Sequence, residues 1–286
     1  MEVKFFHLTD LNLAMKVPFS MKTTNESEKF LVPYAGVADV SVEFKLSNQL
    51  PQLPRSGVWH LDRYYTEIEG EDVMYVRALP TEEPYAVVRY VSNKQITCSY
   101  VQNNALMFPE THYIWNMIGL EQILLRQQAL ILHASFVAWE QKGILFSAPS
   151  GTGKSTQAEL WKKYLGSEII NGDRAGIRKK DGIWRAYGLP YAGSSRIYRN
   201  ESVPLRAIVI LEQAEENHIC PLGKTEAIIR LLPEFSLHRW NATFMNKAMD
   251  LITEIVDHVP VYLLKCRPNK QAVEMLRETL EKEEMK

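Results

Sequence analysis

An α/β protein with a strand-rich first part is the fold class this sequence predicts, on three observations. Short period-2 apolar runs fill roughly the first hundred residues. Helical apolar spacing sets in after Phe108-Pro109-Glu110 and then alternates with short apolar runs. A glycine-rich turn, Ala148-Pro149-Ser150-Gly151-Thr152-Gly153-Lys154-Ser155, stands between a strand-like and a helix-like stretch. The expected division is a β-rich region over residues 1–108 and an α/β domain over residues 109–286.

In the first region Val40, Val42, Phe44 and Leu46 alternate with Ser41, Glu43 and Lys45, the pattern of a strand with one buried face. Similar runs at residues 73–79, 85–91 and 96–101 are separated by Pro51, Pro54, Gly70, Pro80 and Pro84. Trp59, Tyr64, Tyr65, Tyr85 and Tyr90 are expected to pack within the sheet, because aromatics are ordinary strand residues.

From residue 111 to about residue 128, Ile114, Met117, Ile118, Ile123, Leu124 and Leu125 recur at helical spacing and predict a buried helix. Residues 131–139 and 143–147 read as strands joined at Glu140-Gln141-Lys142-Gly143, and residues 156–164 as the helix after the glycine-rich turn. Residues 168–173 form a short apolar strand ending in an acid, followed by a β-hairpin across Lys180-Asp181-Gly182. Residues 207–211 are a strongly apolar strand ending at Glu212. Residues 225–232 and 241–258 are helical, residues 260–265 a strand, and residues 269–283 a terminal helix with Ala272, Met275, Leu276 and Leu280 inward. The charged stretch 277–286 is its solvated face.

Composition sets limits on function. The 286 residues carry 33 Lys+Arg against 34 Asp+Glu, a net charge of −1, so nothing marks a protein built to grip nucleic acid or an anionic membrane. No apolar run approaches the ~20 residues that span a bilayer. Met1-Glu2-Val3-Lys4 lacks the basic and apolar regions of a secretory signal. Cys98, Cys220 and Cys266 are odd in number and free of C-x-x-C spacing, which excludes a disulfide framework or a sequence-evident zinc site. A cytoplasmic protein with no nucleic-acid or membrane partner is expected, with homo-oligomerisation left open.

The segment 148–155 fits the phosphate-binding loop pattern (Walker A), with Ala148 in place of the first glycine. Gly151 and Gly153 would let successive N–H groups turn toward one anion, and the following helix adds its N-terminal donors. Ser150, Gly151, Thr152, Gly153, Lys154, Ser155 and Thr156 are therefore the candidate nucleotide-binding residues. Lys154 would bridge the terminal phosphates and the Ser155 hydroxyl would ligate Mg²⁺. Asp173 lies 173 − 154 = 19 residues after that lysine, which leaves room for one helix and a return strand. A carboxylate there suits metal ligation or acceptance of a proton from an attacking hydroxyl.

His133 in a strand, the run Ser150–Ser155 and Asn171-Gly172-Asp173 together resemble the HPr serine kinase/phosphorylase family, whose phosphate-loop core is shared with ATP-dependent phosphoenolpyruvate carboxykinases. Tyr187-Gly188-Leu189-Pro190-Tyr191-Ala192-Gly193 and the segment 204–212 resemble uncharacterised HPr-kinase-like proteins, some found with peptide-modifying gene clusters. The resemblance spans about residues 110–285. It implies a P-loop kinase domain over 109–286 and transfer of the γ-phosphoryl group of ATP, with Mg²⁺, to a hydroxyl acceptor, serine of a peptide or small protein. It places His133 near the terminal phosphate as a catalytic group beside Asp173. The family carries two adjacent acids where this chain has Gly172-Asp173, so Asp173 serves both roles, another residue supplies the base, or nucleotide is bound without transfer. A small-molecule hydroxyl kinase is a further alternative.

Glu212, at the end of an apolar strand, is a candidate second metal-side acid. Arg196, in the glycine-bounded loop 188–196, is the candidate for spreading charge on a transferring phosphoryl group, with Arg174 and Arg199 as rivals. His238-Arg239-Trp240 is a weaker candidate for nucleotide or substrate contact. The β-rich region 1–108 would recognise the acceptor or cover the site.

Overall fold

A computed structural model describes residues 2–18, 21–33, 36–78, 82–101, 111–191, 193, 195–239 and 241–284. The chain forms two compact units, residues 1–127 with 238–245, and residues 128–237 with 246–286.

In the first unit β1 (Glu2–Leu8) and β2 (Leu11–Val17) make a hairpin closed by Thr9 and Asp10, both left-handed at φ 51° and 57°. A one-turn helix α1 (Asn25–Glu28) precedes β3 (Leu31–Val32). Then come β4 (Val40–Ser47), β5 (Val58–His60), β6 (Arg63–Ile68), β7 (Glu71–Val76), β8 (Ala86–Tyr90) and β9 (Gln95–Val101). The sheet order is β3-β1-β2-β4-β9-β8-β7-β6-β5, with β4 parallel to both its neighbours and the other pairs antiparallel. Val40, Val42 and Phe44 are buried, as their alternation predicts, whereas Leu46 near the strand end is exposed. Tyr64, Tyr65, Tyr85 and Tyr90 are buried packing residues.

Two helices, α2 (Thr111–Met117) and α3 (Leu120–Arg126), pack on this sheet. Trp115 meets Phe6 edge-on at 4.9 Å and donates its Nε1–H to Ser27 Oγ at 3.0 Å; the Tyr90 hydroxyl donates to the Ile118 carbonyl at 2.9 Å. One continuous helix is expected here from the sequence. It breaks at Gly119, which takes φ +62° and where a Cβ would meet the Tyr90 hydroxyl at 2.7 Å. Alternate residues of β7 serve both faces: Met74 lies near Gly119, while Val73 and Tyr75 cluster with Tyr64 and Val87. Because α2 and α3 bond to this sheet, the unit ends at residue 127 rather than at 108, and Phe108-Pro109-Glu110 lies outside the described residues.

The second unit is mixed α/β. Its long strand β10 (Ala129–Trp139) is antiparallel to β11 (Lys142–Ser147), to the short β12 (Glu168–Asn171) and, through its first half, to β13 (Arg174–Lys180). β13 and β14 (Ile183–Gly188) form the expected hairpin, with Asp181 and Gly182 at φ 49° and 81°. β15 (Ser202–Gln213) pairs first with β14, then runs parallel to β11 and to β17 (Val261–Cys266); β16 (His218–Pro221) completes that edge. The pairings β11-β10-β13-β14-β15-β11 close on themselves, so β10 and β15 each serve two sheets.

The helices of this unit are α4 (Lys154–Leu165), α5 (Lys224–Leu231), which runs into a 3-10 turn at Leu232–Glu234, and α7 (Lys270–Glu284); α6 (Ala242–His258) begins in the first unit. Trp161 of α4 and Val273, Leu276 and Leu280 of α7 pack with Phe146, Val209 and Leu264 in one core cluster. Burying side chains of this size stabilises by about 1.5–3 kcal/mol each. The parallel strands β11, β15 and β17 point their carboxyl ends to one edge, where open sheets receive ligands. No helix among the described residues is long and apolar enough to cross a membrane.

Candidate functional site

The turn from β11 into α4 lies at that edge. Gly151 and Gly153 stand at φ +83° and +117°, and a Cβ at either would have open space around it. Backbone conformation, not crowding, is what requires glycine there. Gly153 caps α4 without a side-chain hydrogen bond, so the amides of the first turn keep their donors for another partner. Ser150, Ser155 and Thr156 are exposed.

Lys154 is buried, and its Nζ donates to the carbonyls of Ala148 at 2.6 Å and Pro149 at 3.2 Å. Burial pulls its ammonium below the usual lysine range, against the opposing pull of Glu234 and Asp173. A cavity of about 600 Å³ opens against Gly151, Thr156 and Gln157 on one side and Cys266 and Arg267 on the other. A second, of about 580 Å³, shares Gly151 and Thr152 and is walled by Glu212, Arg230 and Glu234.

His133 and Asp173 are brought together from β10 and the β12–β13 turn, with His133 Nε2 4.0 Å from Asp173 Oδ1. Backbone pairing fixes both, since the Ala134 amide donates to the Asp173 carbonyl at 3.0 Å. The turn itself is tied by Asn171, which the sequence places beside Gly172 and Asp173 without showing its task. Fully buried, its Nδ2 donates to the carbonyls of Leu189 and Tyr191 at 2.8 and 2.9 Å, and its Oδ1 accepts the amides of Asp173 and Arg174 at 2.8 and 3.0 Å. Both donors and both lone pairs of that amide are thus spent on one turn and one loop.

Gly172 has a steric reason. A Cβ there would lie 1.9 Å from Ser195 Oγ, so the loop after β14 occupies the space a neighbouring acid would need. Gly193 likewise lies against the side chain of Asp173, where an added Cβ would meet Asp173 Cβ at 2.7 Å.

Glu234 is the residue missed from the sequence. The turn that carries it docks on β10, with Phe235 bridging to Leu132 and the Ser236 amide donating to Ile131 at 2.9 Å. Its Oε2 consequently lies 3.1 Å from His133 Nδ1. The nearest signal in the sequence is Pro233, which marks a helix end but no chemistry.

The remaining candidates separate. Arg174 places Nε 3.4 Å from Asp173 Oδ2 and its guanidinium over the Tyr191 ring at 4.8 Å. Arg199 is engaged by Glu168 and Glu201. Arg196 is exposed, its backbone left-handed at φ 52°. Glu212 is held by Lys265 at 3.1 Å and Arg230 at 3.5 Å, and the Lys265 hydrogen bond leads in drawing its carboxyl below the usual range. His238 belongs to the first unit, where it bonds Glu121 and stacks on Phe244. Ala192, Ser194 and Trp240 lie outside the described residues. Among the described residues no group of three His, Cys, Asp or Glu side chains is arranged to hold a metal by itself. An exposed hydroxyl at Ser155 and a part-exposed carboxylate at Asp173 are hard oxygen donors of the kind Mg²⁺ accepts alongside phosphate.

No curated protein matches the sequence. The structure is distantly similar to that of the HPr(Ser) kinase/phosphatase from Coxiella burnetii, at 11% identity and a TM-score of 0.34, over 55% of this chain and 99% of that one. The family model described as SynChlorMet cassette protein ScmC matches residues 110–280, more than half of the chain, and the protein belongs to that family.

Proposed function

We propose that the second unit is an ATP-dependent phosphotransferase acting on a hydroxyl acceptor, serine of a peptide or small protein. The observation that carries the reading is the convergence of Lys154, His133 and Asp173 beside a strand–turn–helix whose two glycines are left-handed. Lys154 would leave the carbonyls it now caps to meet the terminal phosphates, and the first-turn amides of α4 would hold the rest. The cavity of about 600 Å³ is of a size to take the nucleoside. Ser155 and Asp173 would hold Mg²⁺, which when bound neutralises phosphate charge. The acceptor oxygen forms a bond to the γ-phosphorus, the bond to the bridging oxygen breaks, and ADP leaves with the electron pair. The hydroxyl proton is taken up by the pair of His133 Nε2 and Asp173 Oδ1, which face each other across 4.0 Å, with Nε2 as its first acceptor. Arg174 is better placed than Arg196 to steady the Asp173 carboxylate, while Arg196 is free to approach a bound phosphoryl group.

Phosphoryl transfer from γ-labelled ATP to candidate peptides, compared in wild type, Lys154→Ala and Asp173→Asn, tests this. Label transfer should disappear in both variants, and full activity in both would sink the mechanism. Gly172 favours one second reading, nucleotide binding without transfer, since the space for a second acid is filled by Ser195. Tight binding of Mg·ATP with no labelled product would select it. An acceptor site that admits a free hydroxy amino acid but no peptide would point instead to a small-molecule kinase.

A further inference from the structure

The chain lacks an acid at position 172, and the space beside it is taken by Ser195. A second carboxylate nevertheless reaches the site, from a residue 101 positions away in sequence from His133. Glu234 Oε2 lies 3.1 Å from His133 Nδ1, and the side chain is only 11% exposed. It is delivered by two backbone contacts just before the strand position it serves, Phe235 to Leu132 and Ser236 to Ile131. Those contacts hold the turn against β10 whatever the Glu234 side chain does.

A carboxylate only accepts hydrogen bonds, so the ring nitrogen facing it carries the proton. In the neutral ring the other nitrogen, Nε2, presents a lone pair, and it faces Asp173 Oδ1 across 4.0 Å. That gap is too long for a direct hydrogen bond, and it leaves room for an acceptor oxygen about 2.8 Å from Nε2 that donates its one proton there. We propose that Glu234 is a positioning residue: it holds His133 as the Nδ1–H tautomer, so that Nε2 accepts the O–H hydrogen bond of the acceptor hydroxyl beside Asp173. The proposal rests on the phosphotransferase reading for the identity of that hydroxyl. The tautomer itself does not depend on that reading.

The test uses the full chain with its histidines labelled with nitrogen-15, the His133 signals being assigned by their loss in His133→Gln. At a pH where the ring is neutral, wild type should show a protonated Nδ1 and a bare Nε2. Glu234→Leu should move the population toward Nε2–H, the form a free imidazole prefers. Glu234→Gln, which keeps an acceptor oxygen of the same reach, should retain the wild-type tautomer and guards against a folding defect in the leucine variant. Turnover of Mg·ATP should fall about 10- to 100-fold in kcat for Glu234→Leu, with KM within about twofold and partial rescue in Glu234→Gln. An unchanged tautomer in Glu234→Leu overturns the proposal, as does a loss expressed in KM alone. If wild type binds no Mg·ATP by calorimetry, the phosphotransferase reading fails, and the tautomer measurement still decides the role of Glu234 toward His133.

Discussion

Each unit holds a histidine between acidic and basic side chains, and the two sets differ in their access to water. In the first unit His238 Nε2 is 2.7 Å from Glu121 Oε1, which Arg63 also reaches at 3.0 Å. His238 is 3% exposed, stacked on Phe244 at 4.6 Å and edge-on to Tyr65 at 4.9 Å. In the second unit His133 and Asp173 are 32% and 30% exposed, and a gap separates them. The closed set is paired within itself and sealed from water, as befits a strut of the fold. The open set leaves atoms for a ligand. Similar residue types thus stand in a sealed and in an open setting, and only the open one suits the proposed chemistry.

The sharpest way to break this comparison is Glu121→Gln, which takes from the half-buried Arg63 guanidinium the nearer of its two carboxylate partners, Asp62 at 3.9 Å being the other. It should cost about 3–5 kcal/mol of stability, read as a fall in thermal midpoint. A change near zero would mean that the closed set is not a strut. Lys154→Ala should do the reverse, lowering Mg·ATP turnover about 10²- to 10³-fold while the midpoint stays close to wild type. Retained turnover would remove the distinction from the other side.

Acid sharpens it further. Burial alone would push the Glu121 carboxyl up, but the hydrogen bond from His238 and the Arg63 charge outweigh it and hold the group at about 2. Its folded value lies below its ordinary one near 4.5, so the stabilisation is full above that pH and is lost as pH falls toward 2. The contribution is roughly 3 kcal/mol, visible as an acid-dependent difference in midpoint between wild type and Glu121→Gln. Glu212→Ala should have the smallest effect, within about 0.5 kcal/mol, because its carboxylate meets Lys265 and Arg230 in solvent. A raised Mg²⁺ requirement in that variant would restore it as a metal-side acid.

Much of the candidate site was legible because its residues are local in sequence. The left-handed glycines and Lys154 lie within four residues of one another, and the apolar strand before Asp173 shows where that acid must emerge. Glu234 was not legible, since nothing in Leu232-Pro233-Glu234-Phe235 announces that its turn will dock on β10. Asn171 was hidden for a different reason: its task is to satisfy backbone groups of a loop twenty residues on. Gly119 is similar, a helix break set by a tyrosine from a distant strand. Periodicity finds elements, but contacts between elements decide where they stop and which side chains meet.

The sharing of β15 between two sheets also has a bearing on how the protein is made. The glycine-rich turn is fully synthesised once residue 156 has left the ribosome, yet β15 and β17, whose ends wall the cavity beside it, finish only at residues 213 and 266. Neither sheet can close before β15 emerges, because it joins β14 to β11 and β11 to β17. Folding of this unit is therefore governed by pairings far apart in the chain, which form slowly. During synthesis the nascent turn must wait, exposed, for the second half of its own domain.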